Sequence, residues 1–140
     1  MTRTYADACI LIRAFRGEDD EKSLQAIALL GDANREFAAS IFLEMETLAK
    51  AQFNRRPLEV AFYEAFFENA AVWAGVDEDL VTAARDECSL CGLNALDSLH
   101  VAAAHATGCA ELVTCENPDR SIYRARSILV RTAAAATSIP

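Results

Sequence analysis

Short apolar segments of strand character alternate with segments of helical periodicity along almost the whole chain, and this alternation constrains the fold more than any other feature. Strands that alternate with helices build a parallel sheet whose two faces are covered by helices. We therefore expect an α/β fold, a three-layer α/β/α sandwich with a central, mainly parallel sheet. The expected strands are 2–6, 36–40, 71–74, 111–114 and 127–131, and the expected helices are 8–15, 21–30, 41–53, one from Pro57 onward, 79–88 and 94–107.

The chain has the length of one ordinary domain, since single domains most often contain roughly 100–150 residues. Its 140 residues are 53% hydrophobic, which is enough to form a core and argues against disorder. We expect a single domain over residues 1–134. The last residues, 135–140, have the composition of a flexible C-terminal tail.

The N-terminus has no signal-peptide pattern, and no uncharged apolar stretch reaches the roughly 18 residues of a membrane span. The five cysteines are an odd number, which favours a reducing compartment over a disulfide framework. We therefore expect a cytoplasmic protein without membrane contact. Cys88 and Cys91 form a CxxC pair, but no second pair completes a zinc site, and packing at a helix end is the favoured interpretation.

Acidic residues outnumber basic ones, and the net charge of −8 opposes a generic nucleic-acid binder, which usually has a basic surface. A metal-dependent nuclease nevertheless concentrates acids at its site, so part of this excess is expected for that class. Basic residues gather near the C-terminus, at Arg120, Arg124, Arg126 and Arg131.

One acid lies where acids are rare. Asp97 is the only formally charged residue between Cys88 and Ala110, within a helix whose surface is mostly apolar. A buried carboxylate is costly unless it is paired or bound to a cation. Helix capping is the alternative role for such an aspartate, but Asn94 is better placed to be the cap.

Two further acids follow expected strands. Asp7 comes directly after the first strand, and Glu116 follows strand 111–114. In parallel sheets, functional residues collect beyond the carboxyl ends of the strands. For Asp7 an N-cap role is equally supported, and for Glu116 taken alone an ordinary solvated position is favoured.

The helix after Ser40 offers two candidate glutamates. Its apolar stripe contains Ile41, Phe42, Met45, Leu48 and Ala49. Glu44 and Glu46 flank this stripe on opposite sides, so helical periodicity does not choose between them.

Four segments together resemble the PIN-domain ribonuclease family, and most closely its VapC-type toxins. They are YADACILIRAF, SIFLEMETLAK, NALDSLHVAAA and LVTCENPD, which span residues 5–119 in the order found in the family. The third is the most specific, with Asp followed by Ser, Leu, His and small apolar residues. The resemblance implies a PIN-like fold and a Mg²⁺- or Mn²⁺-dependent endoribonuclease.

Carried over by position, the resemblance implies a metal site of four carboxylates. It selects Glu46 over Glu44, because the family's glutamate usually lies six residues after the serine. Many relatives have Asp where this chain has Glu116, whose longer arm suits binding through water. The implied ligands are Asp7, Glu46, Asp97 and Glu116, with Glu44 and Asp119 in reserve.

Other positions receive supporting roles from the same resemblance. Thr114, and less strongly Ser40, resemble hydroxyl residues that support the site. Arg120 and Arg124 are candidates to hold the RNA backbone, with a solvated surface as the alternative. His100 lies one helical turn from Asp97, and a packed core histidine is its favoured role.

The implied chemistry agrees with the ligand type, since hard carboxylate oxygens suit Mg²⁺ or Mn²⁺ better than zinc. VapC-type toxins further imply an antitoxin partner and a homodimer. The alternative within the family is a catalytically inactive PIN-like module that binds RNA or acts as a scaffold. A signalling receiver domain, which needs a lysine after a late strand, is disfavoured because no lysine follows Lys50.

Overall fold

A computed structural model describes residues 1–137. The helices and strands follow one another as the sequence alternation predicts. The strands are β1 (Thr2–Ala6), β2 (Arg35–Ala39), β3 (Val72–Trp73), β4 (Glu111–Thr114) and β5 (Leu129–Thr132). The helices are α1 (Ala8–Arg16), α2 (Glu21–Leu30), α3 (Ile41–Glu46), α4 (Leu48–Phe53), α5 (Pro57–Glu68), α6 (Glu78–Cys91), α7 (Ala95–Ala106) and α8 (Ala133–Thr137), with a 3₁₀ turn at Ser121–Arg124.

The five strands form one sheet in the order β3-β2-β1-β4-β5, and every neighbouring pair is parallel. β1 therefore lies at the centre, between β2 and β4. Parallel strands need crossover connections, and the helices between them supply these on both faces of the sheet. The expected three-layer α/β/α fold is confirmed.

Side chains of β1 alternate between the two faces, as the geometry of a strand requires. Tyr5 packs into a cluster with Val101 and Leu112 on the side of α6 and α7. Ala6 packs with Ile10 and Leu29 on the side of α1 and α2. All six side chains are fully buried, so the central strand anchors both halves of the core.

Several expected elements have other bounds in the structure, and two of them differ for a clear physical reason. The helix expected over 41–53 is broken into α3 and α4 at Thr47, whose φ of −118° and ψ of −80° are not helical. The Thr47 hydroxyl donates to the Leu43 carbonyl at 2.8 Å and replaces a helical bond there. The last strand is Leu129–Thr132 rather than 127–131, because Ser127 binds Glu87 instead.

The expected tail is helical in its first part, since α8 extends to Thr137. The Arg35 guanidinium donates to the Ala136 carbonyl at 2.8 Å and ties this helix to the sheet. The remainder of the expected tail, 138–140, lies outside the described residues. Within residues 1–137, no helix combines the length and the apolar character needed to cross a bilayer.

A buried ion network closes the amino-end edge of the sheet, away from the strand ends that carry the candidate acids. Glu111, whose side chain is only 4% exposed, accepts from Arg35, from Arg131 at 2.7 Å and from the Thr4 hydroxyl at 3.3 Å. Burial raises the pKa of Glu111, but the hydrogen bonds from Arg35 and Arg131 outweigh it, so the pKa lies below its usual value. The network links β1, β2, β4 and β5.

Replacing Glu111 by Gln should lower the free energy of unfolding by about 3 kcal/mol, because the buried Arg35 then keeps only its pair with the more exposed Asp32. Urea denaturation measures this loss. The matched control is Glu36→Gln, which removes the half-exposed partner of Arg3 and should cost less than about 1 kcal/mol.

The same network gives the fold a pH dependence. Because the folded-state pKa of Glu111 is depressed, its contribution is present above the ordinary value of 4.5 and is lost as the pH falls through the folded pKa. Glu111→Gln should therefore flatten the acid limb of the stability curve. Equal losses from Glu111→Gln and Glu36→Gln would contradict this account of the network.

Candidate metal centre

Asp7 lies at the carboxyl end of the central strand and is 8% exposed. One carboxylate oxygen, Oδ1, accepts from the Ala8 backbone N–H at 2.8 Å, so Asp7 is the N-cap of α1. The other oxygen, Oδ2, accepts from the Thr114 hydroxyl at 3.1 Å. Thr114 ends β4, the strand next to β1, which explains how it reaches Asp7. The cap role and the site role therefore coexist in one residue.

Glu46 ends α3 and is held by a chain of buried hydrogen bonds. Its carboxylate contacts the Nε2 atom of His100, whose Nδ1 lies 2.6 Å from the Tyr5 hydroxyl. The Tyr5 hydroxyl also lies 2.6 Å from Oγ of Ser40. Ser40 Oγ in turn accepts from the Leu43 backbone N–H at 3.1 Å and is the N-cap of α3. The chain connects β1, β2, α3 and α7.

The groups at the two ends of this hydrogen-bond series, Ser40 and Glu46, determine which atom donates in each bond. Because Ser40 Oγ accepts from a backbone amide, its own proton is available to the Tyr5 oxygen. Tyr5 then donates to Nδ1 of His100, and the Nε2 proton of His100 faces Glu46. The pKa of Glu46 is lowered, first by the hydrogen bond from His100 and further by the nearby charges of His100 and Lys50.

These residues bring ligand-type atoms close together. One ligand atom each of Asp7, Glu46 and His100 lies within 4.8 Å of the other two. In the described part of the chain this is the one group of three or more such side chains able to surround an ion. Asp7 and His100 are buried, and Glu46 is partly exposed, so the group opens to solvent on one side.

Asp97 lies beside this group, in the first turn of α7. Asn94 is the N-cap of that helix, as the sequence predicts, and its amide donates to Asp97 Oδ2 at 3.0 Å. Burial raises the pKa of Asp97, and the negative charges of Asp7 and Glu116 raise it further. The carboxylates of Asp7, Asp97 and Glu116 therefore repel one another across a common space.

Glu116 is the outermost of the four predicted acids. It is exposed, its backbone N–H donates to the Thr114 hydroxyl at 3.2 Å, and its carboxylate lies 3.5 Å from Nε of Arg120. Asp119 is exposed in the same loop. Glu44 is partly exposed and does not join the group formed by Asp7, Glu46 and His100.

The expected apolar stripe of α3 and α4 is wrong about which residues are buried. Met45 is 58% exposed, whereas Leu43 and Thr47 are buried. Because the helix breaks at Thr47, a helical pattern drawn through the break assigns the wrong residues to the core. The break also sets the direction of Glu46, the last residue of α3.

Two of the arginines considered for RNA binding have structural contacts. Arg124 donates to the carbonyls of Cys91 at 2.8 Å and Gly92 at 3.1 Å, at the end of α6. Arg131 pairs with Glu111 at the opposite edge of the sheet. Arg120, which is 65% exposed and pairs only loosely with Glu116, stays next to the candidate site.

Sequence reasoning placed His100 in the core and did not give Tyr5 any role. His100 is indeed buried, with 1% of its surface exposed. Both of its ring nitrogens are engaged in hydrogen bonds, however, one with Tyr5 and the other with Glu46, which they hold in place. The spacing of three residues between Asp97 and His100 indicated a shared helix face. The Tyr5 contact depends on strand position and had no local signal.

The CxxC pair lies in the last turn of α6, as expected. The Cys88 thiol lies 3.2 Å from the Ser98 hydroxyl of α7, so it packs between two helix ends. Cys91 is partly exposed. Its pKa is raised, mainly by burial and to a smaller extent by the neighbouring Glu87.

In the presence of a chelator, Asp97→Asn should raise the free energy of unfolding, because it removes the repulsion of Asp97 by Asp7 and Glu116. The gain should stay below about 1 kcal/mol, since solvent screens a half-buried carboxylate. The sign follows from the raised pKa, which makes the ionised form of Asp97 unfavourable in the folded state at neutral pH.

Asp79→Asn is the matched control, because Asp79 occupies the first turn of α6 on an exposed surface. It should lose a few tenths of a kcal/mol of favourable interaction with the helix N-terminus. Thermal unfolding of both variants in chelator gives the comparison. A loss of stability in Asp97→Asn equal to that in Asp79→Asn would show that the site acids do not repel one another.

Several solved structures share this fold. VapBC2 from Rickettsia felis, solved bound to a DNA fragment from its promoter, has a TM-score of 0.69 at 16% identity, covering 94% of this chain and 98% of that one. DNA-bound VapBC from Salmonella typhimurium has a TM-score of 0.65 at 19% identity, with coverages of 95% and 99%. A toxin-antitoxin complex from Klebsiella pneumoniae has a TM-score of 0.62 at 20% identity, with coverages of 83% and 88%.

No curated protein matches the sequence significantly. The sequence pattern of the PIN domain, in contrast, matches residues 4–125, which include all four predicted acids and nearly every element of the sheet. The chain belongs to the PIN-domain family.

Proposed function

We propose that this chain is a Mg²⁺- or Mn²⁺-dependent endoribonuclease that hydrolyses phosphodiester bonds of RNA. The observation that carries the proposal is the convergence of Asp7 and Glu46 within 4.8 Å, beside Asp97, whose pKa is raised by burial and by the charge of Asp7. Like charges gathered in a partly closed space are unfavourable unless a cation joins them. Membership of the PIN-domain family supports the same conclusion.

The donor set fits a hard divalent cation. Asp7, Glu46 and Asp97 would hold the ion with carboxylate oxygens, which are the ligands that Mg²⁺ and Mn²⁺ prefer. Both nitrogens of His100 are engaged, with Tyr5 and Glu46, so His100 positions Glu46 instead of offering a free nitrogen. A site of this composition disfavours zinc.

The neighbouring side chains would keep the carboxylates in place. Thr114 fixes one oxygen of Asp7, and the Ala8 N–H fixes the other. Ser40 supports Glu46 through Tyr5 and His100. Such supporting contacts stop the acids from turning away from one another, which their repulsion would otherwise favour.

A bound divalent cation supplies Lewis acidity, which offsets the negative charge of the scissile phosphate and assists attack by water. Glu116, at the open rim, would join the site through its longer side chain, with Asp119 in reserve, whereas Glu44 lies outside the group. Arg120 would contact the RNA phosphate, because it is exposed and its present partner, Glu116, is itself a candidate ligand. Arg124 is a weaker candidate, since it binds the end of α6.

Asp97→Asn should reduce metal-dependent RNA cleavage by more than about 100-fold, because even residues that only support metal ligands contribute about 10- to 100-fold. Cleavage is measured by incubating the protein with total cellular RNA and Mg²⁺ or Mn²⁺ and sequencing the new RNA ends. This assay does not assume a particular target. The same variant should lose the increase in melting temperature that Mn²⁺ produces by binding the folded state.

Glu46→Gln and Glu44→Gln form the matched pair of controls, since they lie two residues apart on α3. The former should behave like Asp97→Asn, and the latter like the unchanged protein. Circular dichroism confirms that each variant is folded. Full cleavage by Asp97→Asn, or no cleavage by the unchanged protein with either ion, would exclude the nuclease and leave an RNA-binding or scaffolding PIN module.

We further propose a toxin role, with an antitoxin partner and a homodimer, for a protein that acts on RNA in the cytoplasm. The support is the shared fold with VapBC and toxin-antitoxin structures over at least 83% of this chain. Five free cysteines agree with a reducing compartment.

Expression of the unchanged chain in a bacterial host should arrest growth, whereas expression of Asp97→Asn should not. An antitoxin, sought as a small open reading frame adjacent to the one that encodes this chain, should restore growth on co-expression and co-purify with the chain. Growth arrest that persists in Asp97→Asn would separate toxicity from the proposed active site. Growth unaffected by the unchanged chain, despite confirmed RNA cleavage, would exclude the toxin role alone.

A further inference from the structure

The turn between α4 and α5 carries a concentration of positive charge that is unusual for this acidic chain. Residues 50–56, with the sequence KAQFNRR, contain three cations and no acid in a chain of net charge −8. We call this segment the basic turn. All its residues except Ala51 are exposed.

An aromatic ring lies in the middle of the basic turn. Phe53, the last residue of α4, is 86% exposed, and no ring contact involves it among the described residues. Lys50 precedes it by three residues, so the two side chains are neighbours on one face of α4. An exposed aromatic ring beside a cation forgoes burial and offers a stacking surface.

Arg55 occupies a backbone conformation that favours glycine. Its φ is +55°, and the other three positive φ values among the described residues belong to Gly17, Gly92 and Gly108. The turn is closed by the Arg56 N–H, which donates to the Ala51 carbonyl at 3.1 Å. An arginine at such a position costs conformational energy, which indicates that its side chain is useful there.

The cations of the basic turn are available to a ligand. Within residues 1–137, neither Lys50 nor Arg55 forms an ion pair, and Arg56 reaches Glu59 at 3.6 Å while remaining 65% exposed. Lys50 lies four residues after Glu46, just across the helix break at Thr47. The basic turn therefore begins at the rim of the candidate metal centre.

An open groove continues from the turn along α5. It has a volume of about 390 Å³ and is lined by Arg55, Arg56, Pro57, Val60, Ala61 and Glu64. Its lining combines two arginines with three apolar residues, Pro57, Val60 and Ala61, which suits a base together with its phosphate. Glu64 is the single acid of the lining and disfavours a phosphate beside it.

We infer that the basic turn binds single-stranded RNA and leads it to the metal centre. Phe53 stacks on one unpaired base, while Lys50 and Arg55 contact phosphates on either side of it. Stacking on an aromatic ring needs a base with a free face, which a single strand offers and a duplex does not. This inference rests on the proposed nuclease function, to which it adds a binding surface and a path for the strand.

The test measures binding of fluorescein-labelled oligouridylate by anisotropy over a range of salt concentrations, in an Asp97→Asn background that prevents cleavage. Phe53→Ala should weaken binding about tenfold or more, whereas Phe53→Trp should retain it. Arg55→Gly should reduce the slope of log affinity against log salt by about 0.7, the value for one phosphate contact on a single strand.

Arg55→Gly has a second readout that separates function from structure. Because glycine relieves the positive φ, this variant should resist urea better than its parent while binding RNA less tightly. Arg85→Ala is the matched control, since Arg85 is an exposed cation on α6, on the other face of the sheet, and should leave binding unchanged. A duplex of the same length should show little dependence on Phe53.

The outcomes distinguish the two proposals. Unchanged binding in Phe53→Ala and Arg55→Gly overturns the inference, even where the unchanged protein cleaves RNA with metal. Binding that depends on the turn, without cleavage by the unchanged protein, upholds the RNA path and overturns the nuclease. A Phe53→Ala variant that binds RNA normally but alters the oligomeric state in light scattering assigns the surface to a protein contact and also overturns the inference.

Discussion

The position of β1 in the centre of a parallel sheet is the constraint on which the candidate site depends. β1 pairs with β2 on one side and β4 on the other, all in the same direction. Their carboxyl ends therefore meet at one edge, where Asp7, Ser40 and Thr114 come together although they are far apart in sequence. α3, which brings Glu46, and α7, which brings Asp97 and His100, must also pack correctly to complete the group.

The fold and the acids that directly follow strands were predictable because each leaves a local signal. Alternation of strands and helices predicts the parallel sheet, and an acid after a strand lies at its carboxyl edge. Asp7 carries this signal, whereas Asp97 stands out as the one charged residue of an apolar helix. The structure places the two within electrostatic reach of each other.

The less predictable features depend on a helix break and on contacts distant in sequence. Helical periodicity could not choose between Glu44 and Glu46, because the stripe was drawn through Thr47, where the helix ends. Selecting Glu46 required resemblance to the family. Similarly, the roles of Tyr5 and His100 arise from a contact across 95 residues, to which neither local sequence contributes a pattern.

The distribution of cations gives the final argument for a ligand at the site. Arg35 and Arg131 are used by Glu111 at the opposite edge of the sheet, so they offer no compensation to the acids near Asp7. Among the described residues, the carboxylates of Asp7 and Asp97 have hydrogen-bond donors but no ion-pair partner. Hydrogen bonds fix these groups in place without removing their charge, so the repulsion remains until something positive enters. The fold holds Asp7 and Asp97 firmly and pairs Arg35 and Arg131 with Glu111 instead, which supports the proposal that a bound cation neutralises these acids.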